Sequence, residues 1–226
     1  MTGTVFVTGG TGGLGVHVVT HLLAKDWRVV VPVRRPSDAL PEHPRLETVH
    51  CDIGDPAQLA DAVAVAAHDP AAPLTALVSL VGGFASGPRT HEVDADALDR
   101  QLDINVRTTY AVVREVLPYL VAHGGGSIVS TSSGAALNPF PGGTAYSTAK
   151  AAVLAFAKSI AVEYKKDHIR SNALLPGVID TPANRSSMPD STRATWVDPD
   201  DIAKVIAFLI SDDAASITGA AIPLGL

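Results

Sequence analysis

The sequence predicts an α/β fold: a doubly wound parallel sheet of about seven strands with helices on both faces, in a single domain over residues 1–226. Three observations predict it. A short apolar strand, Thr4-Val5-Phe6-Val7, runs straight into the glycine-rich turn Thr8-Gly9-Gly10-Thr11-Gly12-Gly13-Leu14-Gly15 and then into a helical pattern. Apolar runs of strand length alternate with helical stretches along the chain, as in a parallel sheet. Glycines or a proline follow the fourth and sixth strands, at the end of such sheets where ligands bind.

At 226 residues and 46% hydrophobic, the chain can bury a good core in one domain. Net charge is −6 and the basic residues are scattered, so no nucleic-acid surface is expected. No apolar run approaches the ~18 residues of a membrane span, and the first strand begins too early to leave room for a signal peptide. A cytoplasmic location is the expectation. Cys51 is the single cysteine, so there is no internal disulfide framework, and no metal site is expected.

The helix after the glycine turn places Leu14, Val18, Val19, Leu22 and Leu23 on one face. Val29 to Val33 is continuously apolar, as for a strand buried on both faces. Strand, glycine turn, helix and strand form a βαβ unit. Its glycines let the backbone approach a pyrophosphate, and the helix N-terminus favours the anion, so dinucleotide binding is expected at Gly9, Thr11, Gly12, Gly13, Leu14 and Gly15. An acid at the end of the second strand would bind the ribose hydroxyl of NAD. Here Arg34 and Arg35 follow Val33 instead, which suits the 2′-phosphate of NADP, or a solvated basic turn.

Leu46 to Cys51 reads as the third strand, with Cys51 as inert core. Asp52 is placed to accept from an exocyclic amine such as adenine's; equally, Asp52 or Asp55 could cap the helix that begins near Pro56 and runs over Gln58 to Ala67. Leu74 to Val81 is the fourth strand, closed by Gly82-Gly83-Phe84. A long helical pattern follows from about Ala95 to Val121. Asn105 in its middle is a poor helix-interior residue, either simply exposed or perturbing the helix and holding a water.

Gly124-Gly125-Gly126 turns into the fifth strand, Ser127 to Thr131, which leads into a hydroxyl cluster, Ser130-Thr131-Ser132-Ser133. Tyr146 and Lys150 follow, one helical turn apart on one face. A cation near a phenol should lower its pKa, so the pair reads as an acid/base device. Their helix continues to Glu163 and is apolar on more than one side, as if covered by a second subunit. Arg170 to Leu175 is the sixth strand, ended by Pro176-Gly177. The polar stretch from Thr181 to Trp196 suits a short lid, with its body around 182–197. Asp198-Pro199 starts the last helix, with Ile202, Val205, Ile206, Leu209 and Ile210 facing inward, and Ala220 to Leu224 is the last strand.

Together these motifs resemble the short-chain dehydrogenase/reductase family, a Rossmann fold, over essentially the whole chain. The match is carried by TGxxxGxG at Thr8 to Gly15, the Asn105 helix, and Ser133 thirteen residues before the Tyr146-Lys150 pair. Arg170-Ser171-Asn172-Ala173-Leu174-Leu175-Pro176-Gly177 and Ile217-Thr218-Gly219 are similar to the family as well.

The resemblance implies roles. Tyr146 would be the general acid in carbonyl reduction and the base in alcohol oxidation, with Ser133 bonding the same oxygen. Lys150 would hold the nicotinamide ribose and lower the Tyr146 pKa, and Asn105 would hold a water in a proton relay. The cofactor would be NADP(H) by preference, with NAD(H) as the alternative. It would also meet Cys51, Asp52 and Ile53 near the adenine, Val81, Gly82 and Gly83 after the fourth strand, and Pro176, Gly177, Ile179 and Thr181 near the nicotinamide. The substrate, a small carbonyl or alcohol, would meet Phe84, Ser133, Ala135, Phe140 and Tyr146. A homodimer or homotetramer through the two long helices is implied.

Ser79-Leu80-Val81-Gly82 departs from the family's Asn-Asn-Ala-Gly and loses side-chain hydrogen bonds at the sheet centre, and the family's Asp-Gly-Gly near the C-terminus is missing. Val81-Gly82-Gly83-Phe84, Asp180 to Pro189 and Trp196 also resemble the dihydropteridine reductase branch, although that branch typically lacks the serine. Three functions follow: an NADP(H)-dependent reductase of ketones or aldehydes, a reductase of a quinonoid pterin or other imine, and a cofactor-binding sensor or scaffold without turnover.

Overall fold

The structure is a computed structural model and describes residues 3–225. Its sheet contains β1 (Thr4–Thr8), β2 (Arg28–Val33), β3 (Leu46–His50), β4 (Leu74–Ser79), β5 (Gly126–Thr131), β6 (Ile169–Pro176) and β7 (Ala221–Leu224). All seven strands are parallel, in the order β3-β2-β1-β4-β5-β6-β7. The order reverses between β1 and β4, so a crevice opens there beyond their carboxyl ends. This is the predicted α/β Rossmann-like sheet.

Two helical layers cover it. Val5, Val7, Val29, Val31, Ala76, Val78 and Val129 pack on one face against α1 (Gly15–Ala24) and α7 (Pro199–Ile210). Phe6, Val30, Leu77 and Ile128 point the other way, towards α2 (Pro56–Ala67) and α4 (Thr108–His123), with Ile160 of α5 (Thr144–Glu163). Successive strand residues alternate between two buried faces, which is why these strands are apolar without interruption.

Local chemistry sets the helix starts. Asp55 caps α2, accepting from Ala57 and Gln58 N–H, with Pro56 at the first helical position. Asp52 does not cap; its Oδ1 accepts from Gly54 N–H at 3.0 Å in a local turn. Asp198 caps α7 through Asp200 N–H. The sequence also spaces His17 and His21 one turn apart on α1. His17 turns Nδ1 to Asp200, 2.7 Å away, and among the described residues no three His, Cys, Asp or Glu side chains could hold a metal.

Two expectations are corrected. β4 ends at Ser79, not Val81, because β1 ends opposite it at Thr8 and offers no further partner. The single helix expected over 95–121 is three pieces: α3 (Ala97–Gln101), a π-helical stretch (Leu102–Arg107) and α4. The π stretch contains Asn105, whose expected effect on the helix is therefore realised as a wider turn. The segment after β6 forms α6 (Pro182–Ser187) and a 3₁₀ turn over Asp190–Thr195, and Arg185 braces it with a two-point pair to Asp180 at 2.6 and 2.8 Å. No helix among the described residues is long and apolar enough to cross a membrane.

Candidate active site

β5 delivers the hydroxyl cluster and α5 delivers the Tyr-Lys pair to the carboxyl end of the sheet. The four hydroxyl residues divide by environment. Ser130 is buried, and Ser132 is buried and donates to the Lys150 carbonyl at 2.7 Å. Thr131 lends its carbonyl to Lys150 Nζ at 3.1 Å. Ser133 is left half-buried with its Oγ accepting from Ala135 N–H at 3.2 Å, and it sits near enough to act on the Tyr146 phenol.

Lys150 is only 5% exposed, and its ammonium lies 5.9 Å from the Tyr146 ring centroid. Burial lowers the Lys150 pKa to about 8, since an ammonium loses hydration it does not recover here. Burial pushes the Tyr146 phenol above its ordinary value, and Ser133 pulls it partly back. The expectation that Lys150 lowers the Tyr146 pKa is therefore not met. The amine is itself desolvated, and removal from water dominates at both groups.

Asn105 is fully buried. Its Oδ1 accepts from Gly83 N–H at 3.1 Å and its Nδ2 donates to the Gly83 carbonyl at 3.0 Å. Gly82 faces the same point: a β-carbon there would lie 2.7 Å from Asn105 Oδ1 and 2.9 Å from Lys150 Nζ. Only glycine leaves room for both polar groups. Beside them, Ser79 Oγ and Thr8 Oγ1 are buried without partners, the lost sheet-centre bonds that the departure from Asn-Asn-Ala-Gly implies.

Aromatic rings form the open side. Phe84 is 67% exposed, meets Tyr146 edge to face at 5.1 Å and stacks with Phe140 at 6.1 Å. Phe140 lies over Gly143, and Ala135 is buried behind Ser133. Leu137 and Met188 are also exposed, on the segments after β5 and after α6.

A description of short-chain dehydrogenases matches residues 3–192 of the sequence. The chain belongs to the short-chain dehydrogenase/reductase family. It is 30% identical to 2-(R)-hydroxypropyl-CoM dehydrogenase of Xanthobacter autotrophicus, over 98% of this chain and 96% of that protein. Its structure is similar to 3-ketoacyl-(acyl-carrier-protein) reductase from Brucella melitensis complexed with NADH, at TM-score 0.88 and 25% identity over 99% of this chain and 96% of that one. It is equally similar to ElxO with NADP bound, at TM-score 0.89 and 25% identity over 99% and 97%. Relatives therefore bind either dinucleotide.

The groups that would hold a dinucleotide fit one. Gly9 has φ +72°, and a β-carbon at Gly15 would strike the Gly9 carbonyl, so the turn folds only with glycine. Helix α1 has no side-chain cap and no acid in its first turn, so its N-terminal dipole is open to an anion. Gly13 lies against Thr181 and Pro182, bringing the glycine turn and the start of α6 together; Thr11 and Leu14 lie in the same turn, Leu14 packed on the core. Arg34 and Arg35 are exposed just beyond β2, and neither has an ion-pair or hydrogen-bond partner among the described residues.

Other predicted positions are placed differently from one another. Cys51 points into the core and burial pushes its thiol up to about 11, helped by Asp52 and Asp55, so only its backbone is available at the strand end. Ile53 packs on the same core and Asp52 is exposed beside it. Val81 is half-buried between β4 and Gly82. Pro176 ends β6, Gly177 N–H is tied to Leu224, and the Ile179 carbonyl accepts from Thr181 N–H and Asn184 Nδ2. Thr181 Oγ1 caps α6 through Asn184 N–H. The sequence reading missed Gln101, whose spacing of four residues before Asn105 was the available signal.

Proposed function

We propose that this chain is a single catalytic domain over 1–226 that reduces a ketone or aldehyde with NADP(H), and oxidises the secondary alcohol in reverse. The observation that carries the reading is the meeting of the half-buried Tyr146 phenol with Ser133 and with buried Lys150, whose ammonium lies 5.9 Å from its ring centroid. The nicotinamide, when bound, supplies the hydride. Ser133 and Tyr146 hold the carbonyl oxygen, and Tyr146 gives it a proton as charge develops there. Lys150, with its ammonium 5.9 Å from the Tyr146 ring centroid, and Asn105, which shares with it the space in front of Gly82, supply polar groups along which a replacement proton can be passed. Arg34, with Arg35, binds the 2′-phosphate, which favours NADP over NAD.

The exposed Phe84, Leu137 and Met188 support an apolar substrate, since a bound molecule would cover them. The segment 182–197 serves as the lid. A groove between α4 and α5, lined by Tyr110, Leu117, Val121 and Phe156, supports assembly of two or four subunits through these helices. Sedimentation of the purified chain as a monomer would rule that assembly out.

NADPH oxidation against a panel of apolar ketones and aldehydes tests the activity, with a quinonoid dihydropterin included. Turnover of aromatic or aliphatic ketones that disappears in Tyr146→Phe is the expected result. Turnover of the pterin far above every carbonyl would move the reading to imine reduction, and tight NADPH binding without any turnover would leave a sensor.

A further inference from the structure

Asn105 does not stand alone in its clamp on Gly83. Gln101, 8% exposed and one turn earlier, accepts from Asn105 Nδ2 with its Oε1 at 3.1 Å, and its backbone carbonyl accepts from the same nitrogen at 3.1 Å. The orientation of the whole chain of amides is fixed from one end. Gly83 N–H can only donate and Gly83 C=O can only accept, so the Asn105 amide must face them with Oδ1 and Nδ2 respectively. That leaves the second Nδ2 hydrogen directed at Gln101, shared between its backbone carbonyl and Oε1, so the side chain must present oxygen. Gln101 sits on the last residue of α3, immediately before the π-helical turn, where the backbone register is changing.

We propose that Gln101 is a positioning residue: it holds the Asn105 amide in the one orientation that pins Gly83, and with Gly83 the adjacent Gly82 that faces Lys150 Nζ. It acts through Asn105 rather than on the reacting atoms. With the acceptor gone, Asn105 Nδ2 keeps the Gly83 and Gln101 backbone carbonyls but loses the side-chain brace that fixes its direction, and the other described contact of the π turn with Gly83 is the apolar packing of Ile104. The wall against which Lys150 is desolvated then loosens. Tyr146 is the ionisable group that faces Lys150, and the remaining neighbours described for its Nζ, the Thr131 carbonyl and Asn105, are uncharged. This inference rests on the carbonyl-reductase reading for its consequence in turnover, but not for its consequence at Lys150.

The test is a double-mutant cycle with Gln101→Met, which keeps the length and removes the acceptor, and Asn105→Ala. Two readouts are taken on the full chain: kcat with NADPH and the ketone found by the panel, and the titration of the Lys150 Nζ followed by NMR without ligand. Gln101→Met is expected to lower kcat about fivefold to thirtyfold, as for one hydrogen bond to a buried group, with the KM for NADPH unchanged. The Lys150 titration is expected to move upward as water gains access. In the Asn105→Ala background, Gln101→Met should add nothing to either effect. Additive effects, or a Gln101→Met protein with unchanged kcat and unchanged Lys150 titration, would overturn the proposal. If the wild type reduces no carbonyl, the NMR cycle alone decides on Gln101, and only the catalytic reading is lost.

Discussion

Asn105 grips Gly83 from both sides, its Oδ1 taking the Gly83 N–H at 3.1 Å and its Nδ2 giving to the Gly83 carbonyl at 3.0 Å. This ties a helix to the end of a strand through a single side chain. Asn105→Asp keeps the acceptor and loses both donors. It should leave the Gly83 and Gln101 oxygens unpaired in a buried site, at a cost of about 1–3 kcal/mol in stability. Urea unfolding measures that cost, and kcat should fall at least as far as in Asn105→Ala.

Tyr146→Phe removes one hydroxyl and keeps the ring that Phe84 packs against. Reductive kcat should fall by about 100- to 10,000-fold, the range for a general acid. NADPH binding, followed by fluorescence, should change little. Equal turnover in the two proteins would remove Tyr146 from the chemistry.

The pH dependence follows from Lys150. Its pKa is lowered to about 8, so the cation is present below that pH and lost as pH rises through it. Reductive kcat/KM should therefore fall above about pH 8, as expected of a group needed in its charged form in the free enzyme. The Tyr146 phenol, raised by burial, does not set this limb. Stability runs the opposite way. Between the folded value of about 8 and the ordinary 10.5, the unfolded chain holds a proton that the folded chain does not. Folding stability should thus rise across that window, by about 3 kcal/mol at most. Lys150→Met should flatten both profiles.

Arg34→Ala tests the phosphate assignment. A charged hydrogen bond to phosphate is worth about 1.5–3 kcal/mol, so NADPH affinity should drop by about 10- to 150-fold. NADH affinity should stay nearly constant. Equal losses for both cofactors would show that Arg34 shapes the loop instead.

Gly82→Ala should keep the fold and lose most of the activity. The added methyl would enter the space shared by Asn105 Oδ1 and Lys150 Nζ, neither of which can retreat without leaving its partner. Circular dichroism and kcat together separate loss of function from loss of structure. Gly124→Ala, where a β-carbon meets nothing within 4 Å, is the control for glycine removal; its φ of +89° strains the turn but leaves the site untouched.

The sheet was legible because both of its faces are buried: runs such as Val29 to Val33 carry apolar side chains to two layers and cannot be read as amphipathic helix. The glycine turn and the placing of Tyr146 and Lys150 on one helix depend on local spacing, whereas Ser133 is singled out only by the family resemblance. What sequence reading could not supply depends on contacts between distant segments. Which aspartate caps α2 was left open, and Asp55 holds that place only because its carboxylate reaches two free N–H groups. The sign of the Tyr146 shift was misjudged because a nearby charge can be read from spacing and depth of burial cannot. The early end of β4 follows from its pairing with β1, which ends opposite Ser79 at Thr8.

The π-helical stretch over Leu102–Arg107 has one further consequence, in chain length. A π turn is an α-helix carrying one surplus residue, so the site depends on a count as well as on side chains. Deleting Val106 would let the helix from Ala97 to His123 run on in ordinary α register, with every residue named in the active site still present. Asn105 would then face a different direction by about 100°, the angular step of one residue at 3.6 per turn. The aim of Asn105 at Gly83 is in that sense a matter of arithmetic, set by one residue more than a regular helix needs.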